Sequence, residues 1–115
     1  RRLVVVFQPH RYSRTAQLLD DFGPSLREAD EIVLTDIYAA GEEPIPGVSV
    51  EALAEAVTRG SRRPTRIAHT LDDVLSDLMR TARPGDVVLT LGAGSIGTLP
   101  ARLLEALRHR EGAGR

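Results

Sequence analysis

The sequence has no cysteine, which excludes disulfides, thiolate metal sites and thiol nucleophiles. It also has no lysine: all fifteen basic residues are arginine. That removes the Walker lysine of a P-loop, a Schiff-base lysine and a carbamylated lysine together. No apolar run approaches the roughly 18 residues needed to span a membrane, and no charged-then-apolar leader opens the chain. Cytoplasm is the expected location. Sixteen acidic residues balance the fifteen arginines to a net charge of −1, so no nucleic-acid footprint is expected. Internal repeats and low-complexity segments are absent as well. What remains is 115 residues, 42% hydrophobic and 27% charged, a composition that excludes a disordered tail, a collagen-like fibre and a coiled coil. One domain is expected, over residues 1–110, with 111–115 as a frayed polar tail. The chain opens on Arg1 and runs straight into a strand, so we expect a piece of a longer protein.

Leu3–Phe7 is a short, mostly β-branched apolar run, the pattern of a strand buried on both faces in a parallel sheet. A helical pattern follows through Leu18, Leu19, Phe22 and Leu26, with Ser13 or Thr15 as its expected cap. Gly23-Pro24 is expected to kink or split it. Ile32–Ile37 predicts a second strand, and Tyr38–Val48 an ordered loop. Ser49 is expected to cap a second helix that Gly60 ends. Thr65–Ala68 predicts a short third strand. Thr70 and Asp73 form a capping-box pattern ahead of a third helix. Asp86–Leu91 predicts the fourth strand, Gly92–Gly97 a glycine loop, and a last helix runs from near Thr98 to about His109. Four strands alternating with four helices predict a doubly wound α/β fold, with a mainly parallel sheet and helices on both faces.

In such sheets ligands gather beyond the carboxyl ends of the strands. Three segments reach that edge. In Gln8–Thr15, Arg11 and Arg14 stand three apart at a helix start, where both can face one way. Two guanidinium forks beside free helix amides would suit a small carboxylate or phosphate, with His10 and Tyr12 as further donors. In Tyr38–Pro44, Glu42 and Glu43 lie beside glycine and proline; they either orient an amine or simply solvate the loop. Gly92–Gly97 fits G-x-G-x-x-G, but it follows the last strand, and no later strand supplies the acidic residue a dinucleotide site needs. No histidine has a second histidine at i+4, as a zincin-type pair would need, and no G-x-S-x-G elbow is present. The residues alone thus indicate a small-anion site on an α/β domain, and leave open a non-catalytic module that binds a nucleotide or anion.

Three motifs taken together, Val5-Val6-Phe7-Gln8-Pro9-His10-Arg11-Tyr12-Ser13-Arg14-Thr15, Asp36-Ile37-Tyr38-Ala39-Ala40-Gly41-Glu42 and Leu91-Gly92-Ala93-Gly94-Ser95-Ile96-Gly97, closely resemble the C-terminal domain of the Mur ligases of peptidoglycan synthesis. Among these the similarity is to the branch that uses L-alanine, and it covers the whole chain. The resemblance implies a Rossmann-like domain that closes over an active site shared with a UDP-sugar domain and a central P-loop ATPase domain. It implies an ATP- and Mg2+-dependent ligase in which the UDP-N-acetylmuramate carboxylate is phosphorylated and the amine of L-alanine attacks the acyl phosphate. ATP, Mg2+ and the UDP-sugar would be held mainly by the other domains, and the fragment alone would be inactive. By the same resemblance Arg11 and Arg14 bind the alanine carboxylate, while His10, Tyr12, Tyr38, Ala39 and Glu42 support that pocket.

Overall fold

Three short runs rich in apolar and β-branched residues, with the segment Thr65–Ile67, form the strands of one parallel sheet in a computed structural model that describes residues 2–92 and 94–113, the last three as backbone only. The strands are β1 (Leu3–Phe7), β2 (Glu31–Leu34), β3 (Thr65–Ile67) and β4 (Val87–Leu91), in the order β3-β2-β1-β4. The helices are α1 (Tyr12–Ser25), α2 (Val50–Ser61), α3 (Leu71–Thr81) and α4 (Leu99–Ala113), the last preceded by a 3-10 turn over Gly94–Thr98.

The alternation of side chains along each strand divides the core in two. Val4, Val6 and Val33 point to one face, where they meet Val74 and Leu78 of α3 and Leu99 and Leu103 of α4. Val5, Ile32 and Leu34 point to the other, against Leu19 and Phe22 of α1 and Leu53 and Val57 of α2. The fold is therefore the expected doubly wound α/β sheet. On the α1 face β4 extends past its helical cover: Val87, Leu89 and Leu91 are 44%, 45% and 36% exposed. No helix among the described residues is long and apolar enough to cross a membrane.

Two caps follow the sequence. The Ser49 hydroxyl accepts from the Ala52 amide at 3.1 Å, and Thr70 and Asp73 form a complete capping box. Two glycine expectations are corrected. Gly23-Pro24 does not split α1, and Gly60 does not end α2, which runs on to Ser61 with Arg62 in the left-handed region at φ 58°. The two glycines instead form the contact between α1 and α2: a Cβ on Gly23 would lie 2.7 Å from the Gly60 Cα. Pro24 falls in the last turn of α1, so the one bond its missing amide removes lies at the helix end, just before Ser25 closes it. The second strand stops at Leu34 rather than Ile37, because the Asp36 amide turns aside to the His69 carbonyl at 3.2 Å. α4 continues past His109 to Ala113, three residues into the expected tail; Gly114 and Arg115 lie outside the described residues.

Candidate functional site

β1 and β4 are neighbours whose following helices, α1 and α4, lie on opposite faces. Between their carboxyl ends lies the point where strand order reverses, the usual location of a ligand crevice. The glycine loop, last in the sequence, therefore lies beside the first loop. The Gln8 amide donates to the Leu91 carbonyl at 2.9 Å, extending the ladder. Gly92 holds φ at 139°, and a Cβ there would lie 2.7 Å from the Gln8 carbonyl oxygen, so this position requires glycine. Ala93, within the same motif, lies outside the described residues.

On its other side the first loop is zipped to the second. The Tyr38 amide donates to the Pro9 carbonyl at 2.9 Å, and the Arg11 amide donates to the Tyr38 carbonyl at 2.7 Å. His10 and Tyr38 form an isolated parallel bridge, their rings tilted with centroids 5.6 Å apart. The arginine-bearing and tyrosine-bearing segments are thus one unit on the carboxyl rim of the sheet. Ala39 is half-buried in that unit, whereas Tyr38 is 46% exposed.

Arg11 precedes α1 with φ 67° and ψ 143°, a conformation costing a non-glycine residue on the order of 1–3 kcal/mol. Its surroundings hold it there. Its amide is bonded to Tyr38, and its carbonyl accepts both the Thr15 amide at 3.1 Å and the Thr15 hydroxyl at 2.7 Å. Thr15, an expected cap, is instead a buried residue bonding backwards inside the helix.

Arg11 provides no side-chain cap, and neither Ser13 nor Thr15 fills that position. The cap comes from the second loop. Ala40 and Gly41 both have positive φ, at 53° and 88°, and the Glu42 amide bonds back to the Ala39 carbonyl at 3.0 Å, the pattern of a type I′ turn. The Glu42 carboxylate then accepts the Ser13 amide at 3.1 Å and the Ser13 hydroxyl at 2.5 Å. The hydroxyl bond, then the amide bond, hold the Glu42 carboxyl below its ordinary range, with smaller help from the Tyr12 amide and the Arg11 charge. This corrects the expectation for the Ser13 amide, which does not stand free for a ligand carboxylate. An acid of the chain itself already occupies that position.

The Arg11 and Arg14 side chains are exposed, and neither has an ion-pair or hydrogen-bond partner among the described residues. His10, Tyr38, Ala39 and Glu42 lie on the two joined loops, and Tyr12 opens α1 directly after them. Two further features escape the sequence reading. The Gln8 Oε1 is buried without a partner among the described residues. Next to Tyr12 an open depression of about 490 Å3 is bordered by Asp36, Glu51 and His69. There His69 Nδ1 meets Asp36 Oδ1 at 2.5 Å, while Nε2 lies 3.9 Å from Glu51. The Asp36 bond is the main cause raising the His69 pKa above its ordinary value. No local spacing signals this trio, which meets only because β2 and β3 are adjacent and α2 follows β2.

A family profile described as Mur ligase, glutamate ligase domain, matches residues 1–94. The UDP-N-acetylmuramate–L-alanine ligase of Halorhodospira halophila is 56% identical over 114 residues, covering 98% of this chain and 23% of that protein. The enzyme of the same name from Burkholderia cenocepacia is 47% identical over 110 residues, covering 96% of this chain and 24% of the relative. That from Symbiobacterium thermophilum is 47% identical over 111 residues, with 96% and 23% covered. The chain thus spans about a quarter of the length of these relatives. With the profile covering most of the chain, and the doubly wound sheet and its three rim loops in agreement, the chain belongs to the Mur ligase family.

Proposed function

We propose that this chain is the amino-acid-receiving domain of an ATP-dependent ligase that joins L-alanine to UDP-N-acetylmuramate. The observation that carries this reading is the pair of exposed guanidiniums on the turn after β1, without partners among the described residues, within a sequence nearly half or more identical to ligases of that name. Arg11 and Arg14 bind the alanine carboxylate through charge-assisted hydrogen bonds, which are shorter and stronger than neutral ones. His10, Tyr12, Tyr38 and Ala39 border the bound amino acid, and Glu42 supports the arginine-bearing turn. Fixing the carboxylate leaves the amine free to face an activated acyl group brought from outside this chain.

The residues present do not fit a nucleotide–Mg2+ site of their own. The sequence lacks a lysine for a P-loop, and no three His, Cys, Asp or Glu side chains gather to hold a metal ion among the described residues. The reading therefore assigns ATP, Mg2+ and the UDP-sugar mainly to the remainder of the protein, and the 115-residue chain alone is expected to be inactive.

The full-length protein carrying this chain is expected to release phosphate only when UDP-N-acetylmuramate, ATP and L-alanine are all supplied. Use of other amino acids while alanine is ignored would overturn the substrate. In that protein Arg11→Ala or Arg14→Ala is expected to raise the alanine KM by about 10- to 100-fold, the loss of one charge-assisted bond of about 1.5–3 kcal/mol. An unchanged KM in both variants would remove the receptor.

A further inference from the structure

The first turn of α1 is capped by a residue 29 positions later in the chain. We infer that Glu42 is a positioning residue for the amino-acid receptor, acting through Ser13 to hold the turn from which Arg11 and Arg14 project. The inference rests on the proposed binding role of those two arginines, and adds the residue that fixes their geometry.

Three observations carry it. Arg11 sits in a backbone conformation with a standing tendency to relax, and a side-chain cap of its own is missing. Relaxation would swing its guanidinium relative to that of Arg14 one turn on. Against this, the Ala39–Glu42 turn, with positive φ at both central residues, directs a single carboxylate onto the turn. Finally, Glu42 binds the Ser13 amide with one oxygen and the Ser13 hydroxyl with the other. Its acceptors are committed to Ser13 rather than to Arg11, whose charge is only the least of the influences lowering the carboxyl. The carboxylate therefore anchors the loop without closing the receptor. A ligand carboxylate meets the guanidiniums, while the Ser13 amide remains with Glu42.

A positioning role predicts a specific kinetic pattern in the full-length protein. Glu42→Gln keeps the shape, removes the charge and weakens the double contact. It is expected to raise the alanine KM about five- to tenfold with kcat changed less than about twofold, since the arginines are displaced rather than removed. Ser13→Ala, which removes the hydroxyl bond and leaves the amide bond, should raise KM in the same direction, and the double variant should fall short of the product of the two single effects, because both act on one Ser13–Glu42 link. Ser13→Thr, with a hydroxyl and the same amide, should recover most of the KM lost in Ser13→Ala. In the 115-residue chain the Ser13 amide should exchange with solvent faster in Glu42→Gln than in the parent. The inference is overturned if Glu42→Gln leaves KM unchanged, if the two substitutions add, or if kcat falls while KM stays fixed. Arg11→Ala and Arg14→Ala separate the two readings. If both leave KM unchanged, the receptor itself fails; if they raise KM while Glu42→Gln does not, only the positioning role fails.

Discussion

The two rims of the sheet use arginine in opposite ways. At the amino rim Arg2 forms a two-pronged pair with Asp86, through Nε at 3.1 Å and Nη2 at 2.7 Å, and also meets Glu31. Glu31 bridges to Arg66, which grips both oxygens of Asp77, while Arg80 meets Asp77 at 3.1 Å. The parallel register brings these side chains together beneath α3: Val4 pairs with Glu31, and Val33 with Arg66. Each guanidinium there finds its carboxylates within the fold. At the carboxyl rim Arg11 and Arg14 have none among the described residues, and Glu42, an acid of the adjoining loop, is bonded to Ser13 instead. An arginine whose donors are satisfied internally stabilises the domain. One left open on a strained turn is available to a ligand.

Substitutions can break this contrast. The largest stability effect is expected at the amino rim. Asp77→Ala removes a carboxylate that is only 9% exposed and holds two arginines, at a cost of about 2–3 kcal/mol in urea unfolding of the chain. Arg14→Ala at the other rim should change stability by no more than about 0.5 kcal/mol. Equal losses at the two sites would erase the distinction. A smaller and more pointed effect concerns Arg11. Arg11→Gly relieves the positive φ and Arg11→Ala does not, so in thermal or urea unfolding the glycine variant should be about 1 kcal/mol the more stable. Both variants should still lose alanine affinity in the full-length protein. Identical stabilities would mean that the turn stores no strain.

The subtlest difference is in pH dependence. His69 has a raised pKa, so its contribution is complete below the ordinary histidine value of about 6.5 and fades as pH climbs through the raised value. Asp86, lowered chiefly by its Arg2 bond, and Glu42, lowered chiefly by Ser13, behave oppositely. Their contributions are complete above the ordinary carboxylate range and fade as pH falls through the lowered values. The melting-temperature gap between the parent chain and His69→Gln should therefore close on the alkaline side. Those for Asp86→Asn and Glu42→Gln should close on the acid side. A gap in His69→Gln that persisted unchanged well above the ordinary histidine range would exclude the protonated His69–Asp36 pair as a contributor.

Much of the architecture was legible because its signals are local. A β-branched run such as Leu3–Phe7 has one easy home, and the caps at Ser49 and Thr70 lie within a turn of the amides they satisfy. The readings that needed correction share another property. Gly23 and Gly60 carry helix-breaking chemistry in isolation, yet packed against each other they allow two helices to touch. Ser13 and Thr15 have cap chemistry, but the strained turn at Arg11 puts one of them in the grip of Glu42 and buries the other. At the site, Arg11 and Arg14 could be singled out by their spacing, and Tyr38, Ala39 and Glu42 by resemblance. The trio of Asp36, Glu51 and His69 could not, since its members have no spacing in common.

By itself the sequence determined the alternation of strands and helices, the two apolar faces of the sheet and the presence of an arginine pair after the first strand. These follow from side-chain shape and period, which act over a few residues. Tertiary structure alone decided that β4 lies against β1, that the glycine loop packs on Gln8, and that an acid from the second loop caps the first helix. Those outcomes depend on which strand edges pair and which loops are thereby brought together, and hydrogen-bond ladders between distant segments leave no periodic trace in a sequence.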